Sequence, residues 1–347
     1  MKKRLSILIA AIVLVVSLAA CGGSTPAADS SAGGAPELTL TVASNSTDTT
    51  NPYNQGLRKF KEAVEEVSGG KIQVTVHEGT LGENESELIE KLTMGAADMV
   101  ISSPGFMTAI GVPEIEIFSL EYLFNSFEHW EKCMDGEFGQ KMKQTVLEKT
   151  NNQFHIMSYW TCSVRDVYAK KAVTKPEDLK GMSIRTQSAQ VQQDFFIGCG
   201  AIPTTVAWGE LYQALQQGVV DGAENDYTSF TLKEHHKTPN GKYISETHHD
   251  FTTRLLLMDG NRYNSLSDEQ RGWIDEAVRI CTEEEREITY RMFDESKAKA
   301  EADGAVITNY EDIDIAAFKA IAEPIQDKFA ETNNLTEELA FIRSMAE

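Results

Sequence analysis

Arg185 stands in the segment Met182-Ser183-Ile184-Arg185-Thr186, where strand alternation turns Ile184 one way and Arg185 the other. A guanidinium is a rigid planar fork that meets a carboxylate with two parallel hydrogen bonds, so this arginine is able to fix both the charge and the orientation of an organic anion. The competing reading is an ion pair with Glu224 or Asp221. Asn225, beside Glu224, offers a donor and an acceptor to a hydroxyl or a carboxylate. Trp208 either stacks on the apolar face of a sugar or fills space within the protein. Hydrolysis would draw on other residues. Asp166, Glu224 and Asp226 are candidates for an acid–base pair, but such a pair needs a set separation that a sequence does not supply. No Gly-x-Ser-x-Gly, His-Glu-x-x-His, phosphate loop or dinucleotide fingerprint occurs, so binding is favoured over catalysis.

The residues that must hold this chemistry form a repeated unit. Leu211 and Leu215 recur at helical spacing, Gly218 is suited to the left-handed end of a helix, and Val219-Val220 opens a β-run toward Asn225. Leu88, Leu92, Gly95, Asp98 and Ser102 repeat Leu211, Leu215, Gly218, Asp221 and Asn225 at one constant interval. Two such units imply two α/β lobes, and α/β sheets bind ligands beyond the carboxyl ends of their strands. Leu38–Val42, Ile72–Val76 and Met99–Ile101 are predicted strands of the first lobe, which places Asn45, His77 and Ser103 near its strand ends as candidates for the opposite wall. Phe154–Trp160 is predicted as a further strand, with the second lobe starting near Thr161. A capped turn is expected over Val173–Gly181, and a helix starting at Ser188 and ending at Gly200. Ser267 caps a helical pattern that runs to Gly304, too long for one lobe.

The 347 residues carry a formal net charge of −21, which argues against a nucleic-acid partner. The basic start Lys2-Lys3-Arg4 leads into an apolar run from Leu5 to Leu18, short for a membrane span, and residues 1–20 are read as an export signal. Leu18-Ala19-Ala20-Cys21 resembles a bacterial lipobox, which makes Cys21 the lipidated first residue of an extracytoplasmic protein anchored to the cell membrane, on the periplasmic side if the cell is Gram-negative. Residues 21–36 form a small, polar, flexible tether. The expected lobes are 37–160 with about 251–285, and 161–250 with about 286–347. Cys133, Cys162, Cys199 and Cys281 are scattered singly, as small buried hydrophobes are, and neither metal, disulfide framework nor cofactor is expected.

The segment Trp208–Asn225 resembles the core motif of the substrate-binding receptors of TRAP transporters, the DctP-like family, whose members carry a glutamate, Leu-Gln-x-Gly-x-x-Asp-Gly and Glu-Asn at this spacing. Pro176 to Gly181 with Arg185 is similar to the family's Pro-x-Asp-Leu-Lys-Gly-x-x-x-Arg, and Gly79-Thr80-Leu81-Gly82 and Ala97-Asp98-Met99 extend the likeness. So does the stretch from Val112-Pro113-Glu114 to Leu123-Phe124, although Glu121 stands near the place of the family's usual proline. The resemblance implies a two-lobed periplasmic-binding-protein-like (type II) α/β fold with a long helix spanning both lobes. It implies a receptor, not an enzyme, that captures a small organic anion in the interlobe cleft and delivers it to TRAP membrane permease subunits. On the family pattern Arg185 holds the substrate carboxylate and Arg165 is a second cleft arginine. Gly222-Ala223-Glu224-Asn225 with Arg185-Thr186-Gln187 and Trp208 is most similar to the branch that binds sugar acids such as hexuronates. The chain is expected to act as a monomer. A lipid-anchored sensory protein would use the same cleft, and a secreted hydrolase or lyase is the remaining class.

Overall fold

Strand β1 (Leu38–Ser44) lies between β2 (Ile72–Glu78) and β3 (Met99–Ser102) and runs parallel to both. The computed structural model describes residues 35–82 and 84–346, so the expected signal peptide, Cys21 and nearly all of the tether lie outside the described residues. The other strands in chain order are β4 (Phe154–Trp160), β5 (Val164–Ala169), β6 (Ser183–Thr186), β7 (Ile202–Thr205), β8 (Gly222–Asn225), β9 (Tyr243–Phe251), β10 (Arg254–Asp259) and β11 (Val306–Thr308). They make two sheets, a five-stranded one ordered β2-β1-β3-β10-β4 and a six-stranded one ordered β11-β9-β5-β8-β6-β7. The parallel trio β2-β1-β3 is matched by β7-β6-β8, and an antiparallel strand, β10 or β5, continues each.

The repeated unit is repeated in space as well. Leu88, Leu92, Leu211 and Leu215 are fully buried, each contributing roughly 1.5–3 kcal/mol by leaving water. Gly95 (φ 72°) and Gly218 (φ 74°) take the left-handed conformation that lets the chain leave the helix and turn into β3 or toward β8. Asp98 N–H donates to the Thr41 carbonyl at 2.8 Å while its Oδ2 accepts from Thr41 N–H at 2.7 Å. Asp221 does the same to Ser183 in the matching strand β6, at 2.7 and 3.0 Å. One aspartate thus pins the start of each third strand to the middle strand of its trio and so fixes the register that carries on to the far, carboxyl ends.

The chain crosses between the sheets after Trp160 and again between Phe251 and Arg254, and the helix Asp268–Ala302 makes a third link. This helix has 35 residues, about 53 Å at 1.5 Å per residue, and starts in a Ser267/Gln270 capping box. Ile274, Ala277, Val278 and Cys281 pack with Leu57, Phe60 and Trp160 on the first sheet. Ala300 packs with Tyr168, Leu211 and Tyr227 on the second, so the helix spans both lobes. The C-terminal segment is shared, contrary to the expected grouping of 286–347 with the second lobe. Phe318 and Ala322 join the core over Ile184, but Ala330, Leu339 and Ile342 join the core over Val100 and Leu257.

Ser188 is not the cap of the following helix, which begins at Gln190. Glu116 provides the capping oxygen from a distant 3-10 turn, accepting from Gln190 N–H and, at 3.4 Å, from Val191 N–H. All four described cysteines are buried, and burial pushes the thiols of Cys133 and Cys199 up to about 11 and about 12.

Candidate functional site

β1 and β3 stop at Ser44 and Ser102, β6 and β8 at Thr186 and Asn225, and the residues at and just past these carboxyl ends border one cleft. Its volume, about 490 Å³, falls within the roughly 300–1,000 Å³ usual for small-molecule sites. Asn45, Ser103 and Arg254 border it from the first sheet, and Arg185, Trp208 and Asn225 from the second. Of the residues expected at the site, His77 does not reach it. His77 is still within β2, an outer strand, and its Nδ1 lies 3.1 Å from Thr80 Oγ1.

Arg185 is 8 % exposed, and its Nε donates to the Val206 carbonyl at 3.1 Å. Its guanidinium sits 5.7 Å from the centre of the Trp208 ring, a cation–π contact, and that ring meets His235 edge-on at 5.4 Å. Trp208 therefore holds the arginine and borders the cleft at once. Neither alternative partner takes Arg185: Glu224 is bound to Arg165, and Asp221 to Lys170 and Ser183 N–H. Burial, ahead of every neighbouring charge, pushes the Arg185 guanidinium below its ordinary range, though it keeps its proton at neutral pH. A buried cation whose carboxylate is missing is a site for an external one.

Arg165, expected as the second cleft arginine, is turned the other way. It is fully buried and does not border the cleft. Its Nε and Nη2 bind the Glu224 carboxylate, the latter at 2.7 Å, and Nη2 also reaches the Glu224 carbonyl at 2.9 Å. Burial on its own would raise the Glu224 carboxyl, but Arg165 and His249 hold it down, at about 2. Nη1 of Arg165 donates to Asn225 Oδ1 at 2.8 Å, and Asp226 N–H donates to the same oxygen at 3.0 Å. With its acceptor used, Asn225 has its amide NH2 left for the cleft, which corrects the expectation that it offers both kinds of group. Asp166 and Asp226, the other carboxylates weighed for hydrolysis, are buried behind the cleft, accepting from His248 N–H at 2.9 Å and Ser229 N–H at 2.8 Å.

The residue that sequence reasoning missed is Arg254, the first residue of β10. It is 6 % exposed, and among the described residues its Nε has no partner and its Nη1 reaches only the Thr253 carbonyl at 3.4 Å. It lies 5.9 Å from the centre of the Tyr53 ring, whose hydroxyl stands near the Cys162 thiol and has no nitrogen or oxygen partner among the described residues. The available signal was a base at the head of the apolar run Leu255–Met258, directly at the second crossing. Glu85 also went unremarked, and its Oε2 accepts from Ser103 N–H at 2.5 Å on the same wall.

The profile of the bacterial extracellular solute-binding proteins of family 7, DctP, matches residues 43–333. A solute-binding protein of Chromohalobacter salexigens is 29 % identical over 289 residues, 83 % of this chain and 84 % of that protein. A TRAP periplasmic solute-binding protein of the same species, solved with bound D-glucuronate, superposes with a TM-score of 0.80 at 28 % identity, over 88 % of this chain and 99 % of that one. One from Anaerococcus prevotii, solved with bound α/β-D-glucuronate, gives 0.82 at 26 % identity, over 89 % and 98 %. With a family match across most of its length and a cleft built from the strand ends of two sheets, the chain belongs to family 7 of the bacterial extracellular solute-binding proteins, the DctP-type receptors of TRAP transporters.

Proposed function

We propose that this receptor captures a sugar acid, such as a hexuronate, with a carboxylate clamped by Arg185, and hands it to a TRAP membrane permease while tethered to the membrane through a lipidated Cys21. The observation that carries the reading is the guanidinium of Arg185, buried, without an ion-pair partner among the described residues, oriented by Val206 and Trp208 and bordering the cleft. The Trp208 ring supplies an apolar face for a pyranose, and the Asn225 amide and Asn45 are placed for its hydroxyls. The relatives solved with D-glucuronate support the ligand class. A ligand bonded to both sheets binds the closed arrangement better than an open one and shifts the protein toward it.

A thermal-shift screen against D-glucuronate, D-galacturonate, succinate, sialic acid and simple keto acids tests this. A ligand at 100 times its Kd adds about 2.7 kcal/mol of stability. The uronates should raise the melting temperature most, and stabilisation by a neutral sugar but by no acid would reject the reading.

A further inference from the structure

Four arginines are buried among the described residues: Arg165, Arg185, Arg254 and Arg286. Two are ion-paired within the protein, Arg165 with Glu224 and Arg286 with Asp135 at 2.7 and 2.9 Å. The other two, Arg185 and Arg254, make no ion pair with a carboxylate among the described residues, and these are the two that border the cleft, one from each sheet. A buried, unpaired charge is costly to keep, and the fold has left two of them facing one cavity. Beside Arg254 the Tyr53 hydroxyl is a second donor with no oxygen or nitrogen partner among the described residues. The guanidinium donates only and the phenol has an O–H to donate, so together they fit the oxygens of an anion.

We propose that Arg254 and Tyr53 form a second anion-binding subsite, and that the preferred ligand carries a carboxylate at each end: a hexarate-type sugar diacid rather than a hexuronate with one. This rests on the reading above, in which Arg185 takes the first carboxylate. The middle of the cleft suits a polyhydroxylated chain, because Glu85, with Oε2 occupied by Ser103 N–H, has Oε1 left to accept from a hydroxyl. Bridging Arg185 on one sheet to Arg254 on the other also gives the ligand a direct hold on both lobes.

Titration calorimetry with D-glucarate, galactarate, D-glucuronate, D-galacturonate and succinate decides it. The hexarates should bind about tenfold or more tighter than the matching hexuronates, and Arg254→Gln should collapse that preference to under about threefold. Tyr53→Phe, which keeps the ring in place, should weaken the preference in the same direction. Hexuronates binding as tightly as hexarates, succinate binding as tightly as glucarate, or a folded Arg254→Gln protein that keeps the full preference would each overturn the proposal. If hexuronates bind through Arg185 with no gain for the diacid, only this inference falls. If neither class binds, the Arg185 reading falls with it.

Discussion

Glu224 and Arg165, on the paired antiparallel strands β8 and β5, neutralise each other in full burial directly behind Asn225. The pair serves the cleft at one remove, because the same guanidinium that binds Glu224 also fixes the amide of Asn225 at 2.8 Å. Arg165 is a positioning residue here, and its removal should be felt first in stability. Breaking a buried ion pair from one side leaves an uncompensated charge and costs about 3–5 kcal/mol. Arg165→Ala and Glu224→Ala should each lower the unfolding free energy by about that amount in urea titrations. A change below about 1 kcal/mol for both would show that water reaches the pair.

Arg185 should behave in the opposite way. Among the described residues it has no carboxylate partner to lose, so Arg185→Lys should leave the ligand-free protein as stable as before or more so. Ligand affinity should fall by about 30-fold to several thousand-fold, because an ammonium keeps the charge without the planar fork. Calorimetry that finds binding within a few-fold of the wild type would reject the clamp.

Glu285, on the long helix, is fully buried and accepts from Thr161 N–H at 3.3 Å and Thr289 Oγ1 at 3.2 Å. Burial pushes its carboxyl up to about 8, against about 4.3 unfolded. The folded state therefore holds this proton where the unfolded state has released it. Its contribution is full below about pH 4 and is lost as pH rises through 8. Burial acts on Glu121 in the same direction, whereas Glu224, held at about 2, contributes above about 4.3 and is lost on acidification toward 2. Stability should peak at mildly acidic pH, and Glu285→Gln should flatten the fall between about pH 5 and 8. Equal slopes for both proteins across urea titrations at a series of pH values would refute the assignment.

Closure is testable without identifying the ligand's contacts. If the ligand holds both sheets, saturating sugar acid should reduce the radius of gyration seen by small-angle scattering. An unchanged scattering curve at saturation would mean a rigid cleft.

The lipid anchor is tested at Cys21 itself. Cys21→Ala should abolish incorporation of radiolabelled palmitate and release the protein from the membrane fraction, since the acyl chains supply about 0.8 kcal/mol per buried methylene. Equal label on the two proteins would remove the anchor from the account.

The sequence by itself determined what is local. Leucine spacing, the glycines at positive φ and the aspartates at 98 and 221 specified both helix–strand units. The Ser267 box and an unbroken helical pattern specified the long helix, and the ends of β1, β3, β6 and β8 put Asn45, Ser103, Arg185 and Asn225 at the cleft. Each of these follows from a periodicity or a cap a few residues long.

Only the tertiary structure decided which arginine is free. Arg165, Arg185 and Arg254 are alike as residues, and their fates depend on which strands become neighbours. Setting β5 beside β8 brings Glu224 to Arg165 across 59 positions of chain and consumes it, while β10 at the crossing brings Arg254 to Tyr53 and leaves it unpaired. The capping of the helix at Gln190 by Glu116, 74 positions away, was hidden for the same reason. Charge pairing in a protein interior is settled by contact between elements distant in sequence, and no local pattern encodes which contacts the sheet order will make.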